Sequence, residues 1–205
     1  MCNNKYMNKW QKSNKFVGII LLILATFGMI ASLALGYETL ETIKNPGYSP
    51  ACNISPIISC GEVMASQYSE VFGVPNPVFG IIGFSALMTL AVVIISGASL
   101  GRRMWQLMLI GGAVGVVWVH YLFVVSVYSI GSICPWCAVL WVSTIPIFWM
   151  IVTHMASTGF FDWNRYTKRC ASLWSKYAGP ILITWFLILI VIVFIKFNDY
   201  WLSLI

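Results

Sequence analysis

The sequence predicts an all-α integral membrane protein, and three observations carry that prediction. Apolar residues make up 60% of the 205 and charged residues only 9%, with a mean hydropathy of +0.85, which excludes an ordinary soluble domain. Five apolar runs, residues 16–36, 77–99, 104–128, 133–155 and 178–197, are each long enough to cross a hydrocarbon core of ~30 Å. The lysines and arginines gather on one set of alternate loops. Lys5, Lys9, Lys12 and Lys15 precede the first run, Arg102 and Arg103 separate the second from the third, and Arg165, Lys168, Arg169 and Lys176 separate the fourth from the fifth. Basic loops stay on the cytoplasmic side of a membrane, which puts the N-terminus inside. The net charge of +6 is thereby explained by topology and calls for no nucleic-acid partner.

In chain order, residues 1–15 read as a loose, basic cytoplasmic tail. The first run is too long for a signal-peptide core and no small-residue cleavage site follows it, so it is kept as a span. Residues 37–76 form the long outer loop. It holds Glu38, Glu41, Glu62 and Glu70, and the breakers Asn45-Pro46-Gly47 and Ser49-Pro50 argue for irregular chain rather than an independent core. After Pro56 the pattern predicts a short interfacial helix up to Val71, with Ile57, Val63, Met64 and Phe72 as its apolar surface, lying as a lid over the membrane mouth. Val74-Pro75-Asn76-Pro77 turns the chain back into the bilayer, where the Asn76 amide either caps the helix or binds a ligand. The third span carries Gly111-xxx-Gly115, a face that lets helices approach, and His120, expected to hydrogen-bond a neighbouring helix as neutral imidazole. Residues 158–177 read as an amphipathic cytoplasmic linker, and 178–205 as a fifth span with a short outer tail.

The chemistry concentrates in Ser132-Ile133-Cys134-Pro135-Trp136-Cys137. A CxxC that opens a helix sets both sulfurs on one face, and the helix N-terminus lowers the pKa of the first thiol. Two cysteines in an apolar segment also pack simply as small side chains, and the motif alone does not choose. Topology adds to it: Cys52, Cys60, Cys134 and Cys137 all fall on the outer side, where disulfides persist, whereas Cys2 and Cys170 fall inside and read as reduced bystanders. Cys52 and Cys60, with seven residues between them, match neither CxxC nor zinc spacing; alone they are a structural staple or half of a relay. Two dithiols on one face of a membrane can hand on electrons by thiol–disulfide exchange. No CxxCH, iron–sulfur pattern or glycine-rich nucleotide loop is present, so the acceptor must reach the second dithiol from the lipid. A quinone is apolar, takes two electrons, and suits a pocket walled by aromatic and aliphatic side chains.

The order of these parts resembles the vitamin K epoxide reductase family over about residues 16–155. It rests on Cys52-x7-Cys60, then Ser66, then Asn-x-x-Phe-Gly at Asn76 to Gly80, then CxxC at Cys134 and Cys137. The resemblance implies a four-helix catalytic bundle, residues 16–157, around a quinone of the menaquinone, ubiquinone or vitamin K type, closed by the lid helix. It implies that Cys52 exchanges with a thioredoxin-like protein, that Cys60 passes electrons to Cys134, and that Cys137 faces the quinone. Asn76 would hydrogen-bond a quinone carbonyl, with Ser66 and Phe79 near the site. Animal members carry a tyrosine four residues after the last cysteine; here that position is Trp141, which donates but does not accept. Bacterial relatives often continue from a fifth helix into a fused thioredoxin-like domain, so the resemblance implies a separate DsbA-like partner on the outer side of the inner membrane.

The expected function is therefore a membrane thiol:quinone oxidoreductase that supports disulfide formation. Epoxide reduction proper is the near alternative, and Trp141 disfavours it. The DsbB family places its CxxC in the first outer loop, the reverse of the order found here. From another class, a metal carrier would use Cys134 and Cys137 as soft ligands, but the nine methionines fall in no spacing with the cysteines that would continue a path across the bilayer. No metal site is expected.

Overall fold

Each of the five apolar runs lies in a helix long enough to span a bilayer. The computed structural model describes residues 4–45, 47–159 and 164–202. Helix α1 (Asn4–Lys44) leads into an outer loop that carries the short helix α2 (Cys60–Ala65) and a two-stranded antiparallel hairpin, β1 (Glu70–Val71) with β2 (Val74–Pro75). Helices α3 (Asn76–Ile95), α4 (Arg102–Val124), α5 (Pro135–Ser157) and α6 (Arg165–Lys196) follow, with a last turn α7 (Asn198–Leu202). The membrane-spanning segments are Lys15–Lys44, Asn76–Ile95, Arg102–Ile130, Pro135–Ser157 and Arg165–Lys196.

The helix starts follow from local chemistry. Pro77 and Pro135 stand in the first turns of α3 and α5, where a missing N–H costs nothing. Asn164 and Thr167 form a reciprocal capping box at α6, and the Ser59 hydroxyl accepts from the Glu62 amide at α2. Helix α4 ends differently. It continues as a π-helical turn, Val125–Ile130, and stops at Gly131, whose φ of +74° is a left-handed conformation that suits glycine.

Helix α5 is the centre of the bundle, packing against α1, α4 and α6, while α1 also packs against α3. Leu21, Ala25, Ile94, Ile151 and Met155 close the inner half of the core. Helices α4 and α5 meet closely because a Cβ at Gly112 would come within 3.2 Å of Phe148 and one at Gly115 within 3.3 Å of Thr144. Gly111, expected on the close face with Gly115, instead looks into open space. Helices α3 and α4 stand apart, and a cavity lies between them. Outside the four-helix group, α6 is tied on by Trp149 Nε1 donating to the Ala178 carbonyl at 2.8 Å and by Trp174 Nε1 donating to Thr153 Oγ1 at 3.1 Å.

Three boundaries differ from the sequence reading. The tail expected to be loose is helical from Asn4, continuous with the first span. Residues 165–177 of the expected linker are the first turns of α6 rather than a separate surface segment, since nothing between Arg165 and Pro180 breaks the helix; residues 160–163 lie outside the described residues. The lid helix stops at Ala65 rather than Val71, because Ser66 turns to extended backbone and residues 70–75 pair as the hairpin, with Phe72 at φ +53° and Gly73 at φ +74° in its tip. Cys2 lies outside the described residues.

Candidate redox site and apolar cavity

Four sulfurs meet at the end of the bundle where α1 ends and α3 and α5 begin. Cys52 and Cys60 form a disulfide, with Cα atoms 5.6 Å apart. Cys134 and Cys137 are free thiols, and Cys134 Sγ stands 3.2 Å from Cys60 Sγ. Cys60 and Cys134 have no exposed surface and Cys52 retains 7%, in a cluster completed by Leu35, Val63, Met64 and Leu140. Of the loop pair, Cys52 is the one that keeps any exposed surface.

Each pair is positioned in its own way. Cys134 is the N-cap of α5, its sulfur accepting from the Cys137 amide at 3.4 Å. The hydrogen bond with the Cys137 side chain, and then the amides of Cys137 and Trp136, hold the Cys134 thiol below its ordinary range against the opposing effect of burial. The loop pair is held by tertiary bonds. Ser59 N donates to the Ile133 carbonyl at 3.1 Å and Ile133 N to the Ile57 carbonyl at 2.8 Å, a parallel bridge that lays residues 57–59 beside 132–133. Each strand of that bridge runs directly into a cysteine.

A chain of polar side chains reinforces the bridge. The Ser126 hydroxyl, at the π-helical end of α4, donates to the Ser132 carbonyl. Ser132 Oγ donates to the Ser59 carbonyl at 3.4 Å, and Ser59 Oγ donates to Asn53 Oδ1 at 2.9 Å. Asn53 Oδ1 also accepts from the Gly61 amide at 2.9 Å. Asn53 follows Cys52, and Ser59 and Gly61 flank Cys60, so one amide oxygen grips both arms of the disulfide loop. At the base of the loop the Tyr48 hydroxyl donates to the buried Glu38 carboxylate at 2.9 Å, and that bond raises the Tyr48 pKa. None of these polar residues was singled out from the sequence.

Below the sulfurs lies a cavity of about 620 Å³ with predominantly apolar walls, large enough for a ligand head group. Cys137, Asn76, Phe79 and Trp141 all line it. Trp141 is buried and meets Phe123 edge-on at 5.0 Å. Asn76 Nδ2 donates to the Tyr68 carbonyl at 2.7 Å, while its Oδ1 is buried without a partner. Ser66 is not brought to the cavity. It ends α2, and its hydroxyl donates to the Val63 carbonyl at 2.7 Å, the local bond that a serine at a helix end makes.

His120 behaves as expected of a structural imidazole. Trp185 Nε1 on α6 donates to its Nε2 at 2.8 Å, and its Nδ1 lies 2.8 Å from the Val116 carbonyl. The indole N–H makes Nε2 an acceptor, so the proton sits on Nδ1. Cys170 is free and exposed on α6, remote in sequence from the other sulfurs.

Against known proteins, the model of the vitamin K epoxide reductase family matches residues 19–153, well over half of the chain. The match begins in α1 and ends in α5, and so contains all four outer cysteines, the lid segment and the cavity.

Proposed function

The chain belongs to the vitamin K epoxide reductase family, and from that premise we propose that this membrane quinone-linked thiol oxidoreductase oxidises a separate thioredoxin-like protein of the DsbA kind. The observation that carries the reading is the 3.2 Å approach of Cys60 to Cys134, which joins the loop disulfide to a second dithiol that lines the cavity. The arrangement has the loop pair oxidised and the helix pair reduced, the state in which the enzyme is ready for its partner.

Every sulfur then has a step. The partner's thiolate attacks Cys52, which has the exposed surface, and Cys60 leaves as thiolate. The partner's second thiol attacks the mixed disulfide, so the partner departs oxidised and the loop is a dithiol. With the helix pair as a disulfide, Cys60 attacks Cys134 and Cys137 leaves; Cys52 then attacks Cys60, re-forming the loop disulfide and releasing Cys134. Two electrons and two protons have moved from the loop dithiol to the helix dithiol. A quinone in the cavity supplies the acceptor chemistry, taking the two electrons and two protons as quinol. Cys134, held below the ordinary thiol range, is a good leaving group in the step in which Cys52 attacks Cys60.

The cavity residues fit a quinone head. A quinone carbonyl accepts a hydrogen bond and a quinol hydroxyl donates one. Asn76 has an N–H beyond the one given to Tyr68 and an oxygen without a donor, so it serves both forms. Phe79 and Trp141 supply flat apolar wall. The positive-inside pattern supports a cytoplasmic N-terminus and a site on the outer side of the inner membrane. The test is direct: purified protein in detergent, given a reduced DsbA-like protein and a menaquinone or ubiquinone analogue, consumes quinone and oxidises the donor in equal amounts. Constant quinone absorbance with every analogue overturns the reading.

A further inference from the structure

Helix α1 carries three threonine hydroxyls, and each turns back onto its own helix. Thr26 donates to the Leu22 carbonyl, Thr39 to Leu35 and Thr42 to Glu38, each at 2.8 Å. This back-bond is the usual resting place for a hydroxyl in an apolar helix, because a polar group left alone there loses its hydration with no return. Ser32 departs from the pattern. It has no exposed surface, lies on the cavity wall, and its Oγ has no hydrogen-bond partner.

The second orphan on that wall is Asn76 Oδ1. Together these are the buried side-chain polar atoms without partners among the described residues, and both line the same cavity. They are also neighbours. A methyl group at Gly80 would collide with Ser32 Oγ, so the serine hydroxyl lies against the bare backbone of Gly80, which is one helical turn, ~5.4 Å, beyond Asn76 on α3. On the same wall, α3 thus carries an amide and, one turn on, a bare glycine against which the Ser32 hydroxyl of α1 packs. Buried unsatisfied groups are rare and call for a reason, and a ligand that brings its own oxygens supplies one.

We propose that Ser32 is a second hydrogen-bonding contact for the quinone head, its hydroxyl reaching a ring oxygen one helical turn from the oxygen bound by Asn76. The proposal rests on the quinone reading above. Like the amide, a serine hydroxyl both donates and accepts, so it holds a ring oxygen as carbonyl before reduction and as hydroxyl after it.

The experiment compares wild type with Ser32→Ala in detergent, following the rise in thermal midpoint as a 1,4-naphthoquinone is titrated, beside a monoketone analogue that lacks one ring carbonyl. The expected result is a Kd for the naphthoquinone raised about tenfold in Ser32→Ala, one hydrogen bond's effect, with the monoketone's Kd unchanged. Without ligand the variant melts no lower than wild type, since it has lost a hydroxyl that had no partner. An unchanged naphthoquinone Kd, an equal loss for both ligands, or a ligand-free variant that melts well below wild type overturns the role of Ser32 and leaves the quinone reading standing. A wild-type protein that neither ligand stabilises overturns both.

Discussion

The two cysteine pairs of this protein reach the same point in space by different physics. The helix pair is positioned within one four-residue stretch: Cys134 caps α5, Pro135 fixes the first turn, and the Cys137 amide bonds the Cys134 sulfur. The loop pair is positioned by bonds to a segment far away in sequence, the bridge to Ile133 and the Ser132 bond to Ser59, and by the double grip of Asn53 within the loop. A dithiol at a helix N-terminus keeps its geometry wherever the helix goes. A dithiol in a loop has to be told where to stand, and in this protein a polar network gives the instruction. The difference teaches that substitutions beside the loop pair act on encounter, whereas substitutions beside the helix pair act on thiol acidity.

The largest effect expected is at the junction of the two pairs. Cys60→Ser removes both the loop disulfide and the sulfur that meets Cys134, so quinone reduction by thiol donors falls to background. Cys52 is left as a lone thiol; given the partner in its oxidised form, it attacks the partner's disulfide, one partner sulfur leaving as thiolate, and the mixed disulfide is seen on non-reducing gels after acid quench. Turnover near wild type in Cys60→Ser would show that the loop pair is not on the path.

A middle effect belongs to Asn53. Replacing it with leucine removes two accepted bonds, worth about 2 kcal/mol together, and slows exchange between Cys60 and Cys134 roughly thirtyfold in rapid-quench thiol trapping. Asn53→Asp keeps an oxygen acceptor and restores most of the rate. If leucine and aspartate behave alike, the grip of Asn53 has no part in the encounter.

The smallest effect is electrostatic and belongs to the helix pair. Cys134 is held low mainly by its hydrogen bond with the Cys137 side chain, so in Cys137→Ala its thiolate absorbance appears at higher pH than in the reduced wild type. The sign follows from the lowered native pKa: the thiolate is favoured above that value, and losing the donor moves the transition upward. An unshifted titration would assign the low value to the backbone amides alone.

How much of this was legible beforehand depended on the range of the forces involved. The spans are written in continuous apolar runs, and the CxxC at a helix start is a local signal, so residues 133–155 were placed within two residues of α5 at each end. The lid was overextended because Ile57 to Phe72 carry helix-compatible apolar spacing, while the hairpin that ends it depends on pairing of Glu70 with Pro75 and Val71 with Val74. Asn76, Phe79 and Trp141 line the cavity, but Ser66 satisfies itself on its own helix end, which no spacing reveals. Asn53, Ser59 and Ser132 are functional partners that no motif in the sequence assigns. Their one visible mark was adjacency: each lies within two residues of a redox cysteine. Ser32 left less of a trace, a single serine in an apolar helix whose missing back-bond exists only in three dimensions.

The π-helical turn at Val125–Ile130 makes the length of this segment a structural parameter in its own right. Such a turn holds one residue more than an α-helical turn would, and the surplus sets the phase at which the chain leaves α4. Winding the same six residues as α-helix, with none removed, would swing everything downstream by ~100°. Ser132 would then leave the Ser126 hydroxyl, and Cys134 would point away from Cys60. Related chains that keep all four cysteines yet lack one residue here should wind the segment as plain α-helix, with the downstream phase and the 57–59 arm kept.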